Sequence, residues 1–122
     1  MADTDSTPID PSKLRNLKIK TGVVKRYTKE KLSYEKEVTM QQDKIKKFEE
    51  EGKDEYFMKQ QVNSLRESEL MVPDTQRRLA QAHKELMEMT SDEGEWGTTE
   101  EYKSAIEVLK EAEPHLPSTS IP

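Results

Sequence analysis

The stretch from Leu14 to Phe48 constrains the fold more than any other part of this chain. It reads LRNLKIKTGVVKRYTKEKLSYEKEVTMQQDKIKKF, with no proline and with Gly22 as its one glycine. Apolar or large residues recur every three or four positions: Leu17, Lys20, Val24, Tyr27, Lys31, Tyr34, Val38, Gln41, Ile45 and Phe48. A helical turn of 3.6 residues places such a series on one stripe. The spacing therefore predicts one long helix, reaching about Glu50 and about 50 Å in length. No helix can bury its own stripe, so the rest of the chain must supply the cover.

A second series follows: Met58, Gln61, Leu65, Ser68, Val72, Thr75, Leu79, Ala82, Leu86 and Met89. Between the two lies EEEGKDE (49–55), where Gly52 suits the left-handed residue that closes a helix and Asp54 suits the cap of the next. So short a loop makes the two helices antiparallel. Pro73 admits two readings. Either the second helix stops at Val72 and restarts, which makes Val72 a poor N-cap, or it continues with a kink. The unbroken phase favours the kinked, continuous helix. Folding about Gly52 sets Ile45 near Met58, Val38 near Leu65, Val24 near Leu79 and Leu17 near Leu86. It also sets Gln41 near Gln61, and a paired amide layer there would hold the register.

SDEGEWG (91–97) reads as an acidic loop anchored by Trp96. Thr98 and Glu101 suggest a capping box for a third, shorter helix ending near Glu113, with Tyr102, Ala105, Ile106, Leu109 and Ala112 on one face. Pro114 and Pro117 end it. The expected architecture is all-α, an antiparallel three-helix bundle over residues 13–113. Residues 1–12 and 114–122 are expected to be disordered tails, from their proline, serine and acidic content. Within this scheme Ser12 or Asn16 caps the first helix. Only 31% of the residues are hydrophobic and 37% are charged, a balance that suits narrow buried stripes and would otherwise favour disorder.

The same inventory narrows function. There is no cysteine, hence no disulfide framework or thiol chemistry. His83 and His115 stand alone, His83 reading as a surface residue, and no metal-ligand, phosphate-loop or dinucleotide motif is present. Catalytic, metal and cofactor sites are not expected. The segment MADTDSTPIDPSK lacks the apolar core of a secretory signal, and no apolar run approaches the length of a membrane span. Charge is polarised. Eight basic residues against one acid lie between Lys13 and Lys31, and ten acids against two lysines between Glu85 and Pro122. A basic helix face can track phosphates, but a net charge of -5 makes an acidic protein the better partner.

LKIKTGVVKR (17–26), YEKEV (34–38) and the pair Gln41-Gln42 resemble the first helix of the tubulin-binding cofactor A family. KQQ (59–61) and ESELMVPDTQRRL (67–79) are similar to its second helix, proline included. The resemblance implies a cytoplasmic, cytoskeleton-associated chaperone without a nucleotide of its own. Such a protein binds β-tubulin released from the chaperonin and passes it on for α/β heterodimer assembly, with other tubulin-folding cofactors as further partners. Monomeric and dimeric members are both known, so monomer and homodimer stay open. The expected partner-binding residues are Lys18, Lys25, Arg26 and Lys29 on the first helix and Arg77 and Arg78 beside Pro73. Gln41, Gln61 and Pro73 are expected to act structurally. A coiled-coil adaptor in a larger assembly, or a nucleic-acid-binding helical module, would use the same faces.

Overall fold

The computed structural model describes residues 9–117. The expectations of disorder for residues 1–8 and 118–122 lie outside the described residues. Among the described residues there are three α-helices: α1, Pro11–Glu50; α2, Glu55–Met89; and α3, Glu100–Ala112. Single 3₁₀ turns occupy Gly94–Trp96 and Glu113–His115. The fold is an antiparallel three-helix bundle.

Local chemistry explains each boundary. α1 opens on Asp10-Pro11, earlier than expected. Asp10 Oδ1 accepts from the Ser12 N–H at 2.9 Å, and Pro11 occupies the first turn, where its missing N–H costs nothing. The cap is thus neither Ser12 nor Asn16. Ile9 packs against the core, so residues 9–12 belong to the bundle rather than to a tail. α1 ends at the turn where Gly52 takes φ 73°, and the Phe57 N–H donates to Asp54 Oδ1 at 2.8 Å. α2 runs unbroken through Pro73. α3 is capped one residue later than expected, by Thr99, whose Oγ1 accepts from the Tyr102 N–H at 3.1 Å. Leu116 packs on the core beyond its end, which extends order past the expected boundary at residue 113.

Contacts between α1 and α2 fix their register. Lys20 meets Glu85 at 2.8 Å, Ser68 donates to Glu37 at 3.1 Å, and Phe48 stacks edge-on to Phe57 with centroids 5.0 Å apart. Gln41 Nε2 donates to Ser64 Oγ at 3.1 Å. Each pair is symmetric about the peptide bond after Gly52. The Gln41–Gln61 amide layer is therefore not formed: Gln41 faces Ser64, and its Oε1 is enclosed without a partner. The physical reason is the turn. Helices ending at Glu50 and Glu55 are symmetric about that same bond, a little past the point assumed from the glycine alone.

α3 runs back beside the first half of α1. Lys13 Nζ lies 5.1 Å from the Trp96 ring centroid and Lys31 Nζ lies 3.5 Å from His115 Nδ1. These contacts mark the two ends of its path. The buried core sits there: Leu17, Val24, Leu79 and Leu86 are fully enclosed, joined by Trp96, Tyr102, Ala105, Val108, Leu109 and Ala112. Beyond Lys31 the hairpin continues as two helices, with no third layer among the described residues.

Candidate functional site

The outward face of α1 is a line of cations. Lys18, Lys25 and Lys29 fall on one stripe, about a third of a turn round the helix from the stripe that buries Leu17, Val24 and Lys31. All three are exposed, and none forms an ion pair among the described residues. Arg26 flanks them. Its Nε is 3.6 Å from Glu30 Oε2, and its guanidinium carbon lies 4.9 Å from the Tyr27 ring centroid. Exposed pairs of this kind are worth little and leave Arg26 free to exchange partners. These four residues form one surface because the seam repeat holds α1 in a single orientation along its length.

Arg77 and Arg78 belong to the other long helix. They lie on α2, and both turn back to Asp74, Arg77 at 3.3 Å from Oδ1 and Arg78 at 3.5 Å from Oδ2. One carboxylate shared by two guanidiniums leaves a net positive charge beside Pro73. The six expected residues thus divide into a line on α1 and a separate pair on α2. Gln61 is half-buried in the seam and Pro73 is exposed.

The seam lysines have structural partners. Lys31 is buried, with Nζ 2.8 Å from Glu35 Oε2 and close to His115. Lys20 reaches Glu85 across the α1–α2 contact. The Glu85 carboxyl is held below the usual range, first by the hydrogen bond from Gln81 and then by Lys20. His83, expected on the surface, is buried and its Nε2 donates to the Leu109 carbonyl at 3.1 Å. Its hydrogen-bond partner comes from α3, which the local pattern around His83 does not reveal. Among the described residues no group of three or more His, Cys, Asp or Glu is placed to hold a metal ion, and no helix is long and apolar enough to cross a membrane.

Apolar side chains on the same surface escape a reading based on charge. Ile19 is 55% exposed and Met40 51%, both on the outward side of α1. A shallow groove lined by Val38, Thr39, Val72 and Pro73, with Glu35 and Glu69 at its rim, opens where α3 stops. The signal available for Ile19 and Met40 was negative: both are apolar and both fall off the seam repeat.

Comparison with known proteins agrees with this arrangement. The tubulin binding cofactor A family model matches residues 12–109. Tubulin-specific chaperone A from Gallus gallus is 50% identical over 101 residues, covering 83% of this chain and 93% of the relative. Tubulin-folding cofactor A from Arabidopsis thaliana is 38% identical over 107 residues, covering 86% and 95%. The structure of human tubulin chaperone cofactor A superposes with a TM-score of 0.70 at 42% identity, over 83% of this chain and 98% of that one. The crystal structure of the Arabidopsis thaliana cofactor superposes with a TM-score of 0.72 at 36% identity, over 86% and 99%. With sequence, length and three-helix architecture all shared, the chain belongs to the tubulin binding cofactor A family.

Proposed function

We propose that this chain is a tubulin-folding chaperone that holds β-tubulin after its release from the chaperonin and passes it on for assembly with α-tubulin. The observation that carries the reading is the family match over residues 12–109, nearly the whole bundle. The family consists of binding cofactors, and the chain is not an enzyme. Its work is recognition by helix faces, and we place that work in the cytoplasm.

The cations of α1 supply a means of recognition. Lys18, Lys25, Arg26 and Lys29 present positive charge along a rigid rod, which speeds encounter with an acidic client and sets its orientation. Arg77 and Arg78 add a second positive point on α2. Co-purification from a refolding mixture tests the proposal. β-Tubulin intermediates are expected to elute with the chain at low salt and to be lost as salt rises. A chain that recovers no β-tubulin under any salt condition refutes the function. Salt-insensitive recovery keeps the function and removes the role of the cations. Sedimentation of the free chain and of the complex gives the stoichiometry.

A further inference from the structure

Gly22 has no role in the fold. It lies in the interior of α1, its φ is not positive, and among the described residues a Cβ there would meet nothing within 4 Å. Neither conformation nor packing calls for glycine, and alanine would hold the helix better. What surrounds it is specific. Residues three and four positions away are surface neighbours on a helix. For Gly22 these are Lys18, Ile19, Lys25 and Arg26, all exposed. Bare backbone thus forms the floor of a shallow notch rimmed by three cations and one apolar side chain. Arg15 and Lys29, one further turn away on each side, continue the positive line, and Glu30, 3.6 Å from Arg26 Nε, is the one acid beside it.

We infer that this notch is the point of closest approach for an acidic polypeptide segment of the client. The segment's main chain descends onto α1 at Gly22, where the absence of a side chain gives it room. Its carboxylates then reach Lys18, Lys25 and Arg26 on either side, and an apolar residue beside them packs on Ile19. Charge complementarity selects the occupant: a surface where Lys18 and Lys25 form no ion pair among the described residues and Arg26 has only an exposed pair with Glu30, on a chain of net charge -5, matches carboxylates. Phosphate tracking by a nucleic acid needs the cations but not the bare floor, and the acidic remainder of the chain repels it. This inference rests on the reading that α1 meets the client.

Gly22→Ala and Gly22→Gln in the full chain test it, with Ser104→Gln on the exposed face of α3 as a control for added bulk. Gly22→Ala is expected to raise Tm by about 4 °C while weakening β-tubulin binding several-fold. Gly22→Gln is expected to weaken binding tenfold or more without lowering Tm, and Ser104→Gln to leave binding unchanged. Either Gly22 variant binding like the unmodified chain overturns the notch. So does a fall in Tm for Gly22→Ala, because the glycine would then serve the fold. A glutamate-rich peptide gives a second arm that needs no tubulin. Its amide NMR shifts are expected to centre on residues 18–26 and to vanish in Gly22→Gln. If the unmodified chain fails to bind β-tubulin, the proposed function falls, and the peptide arm decides the notch: shifts elsewhere, or none, overturn it. Tighter binding of duplex DNA than of the peptide overturns the occupant.

Discussion

The two ends of the α1–α2 hairpin carry the same three-four repeat, yet they bury it differently. At the end where α3 lies, Leu17, Val24, Leu79 and Leu86 are wholly enclosed. Along the arm beyond, Tyr34, Val38, Ile45, Met58, Leu65 and Val72 occupy equivalent seam positions and are half-buried. Ser68 is the one buried residue between Leu32 and Asp74. Two helices touch along a line, so each seam side chain stays open on its flanks. A third helix closes the flank and completes the shell of neighbours. The stripe is a property of each helix, whereas burial is a property of the number of layers. The closed end is therefore expected to hold most of the stability, and the arm to open locally at a free energy below the global value.

The largest expected effect tests this division directly. Leu86→Ala, in the enclosed core, should cost about 3–5 kcal/mol in urea unfolding. Leu65→Ala, at the matching seam position of the arm, should cost about 1 kcal/mol, since less apolar area leaves water there to begin with. Equal costs would show that the arm is as fully packed as the closed end.

Pro73 stands where the cover by α3 runs out, and we propose that it sets the path of α2 at that junction. Pro73→Ala restores one helix hydrogen bond. It should stabilise the chain by about 2 kcal/mol, the gain in helix propensity reduced by the freer unfolded chain. Amide exchange should slow most between residues 66 and 76. Loss of stability instead would mean that the bend produced by proline is needed for α3 to seat.

Thr99→Ala removes the side-chain cap of α3 and should cost about 1 kcal/mol. Exchange should rise at Tyr102 and Lys103 while the arm is unchanged. A matching rise in the arm would merge the two regions into one cooperative unit.

The smallest effect concerns pH. The Glu85 carboxyl titrates below its ordinary value because Gln81 and Lys20 favour its charged form. Its folded pKa lies below its unfolded one, so its contribution is present above the ordinary glutamate range and is lost as pH falls through the folded value. Lys20→Met should flatten that part of the stability–pH curve at the closed end. An unaltered curve would assign the acid dependence to other carboxylates.

The long helices, the turn at Gly52 and the Asp54 cap were legible in the sequence. Each depends on residues within a turn or two of one another. The errors fell where distant residues decide. Asp10 rather than Ser12 opens α1, because Ile9 packs against the core and brings residues 9–12 into the bundle. His83 has no local sign of burial, and its hydrogen-bond partner, Leu109, is supplied by α3. The Gln41–Gln61 pairing assumed that the chain folds at its glycine. The observed register follows instead from where both helices end. Of the candidate site, the line Lys18, Lys25, Arg26 and Lys29 was legible as a periodic stripe. The ion pairs that Arg77 and Arg78 share with Asp74 were not read from the sequence.

The sequence alone determined three helices, their amphipathic stripes and a basic outward face on α1, because periodicity, capping and charge are written in neighbouring residues. Tertiary structure decided how far α3 extends along the hairpin, and with it which seam residues are enclosed and which stay open. It also gave Lys31 its contact with His115 and, among the described residues, left open the space a side chain at Gly22 would fill. These outcomes turn on which faces meet, and a helix carries no local record of what will lie against it.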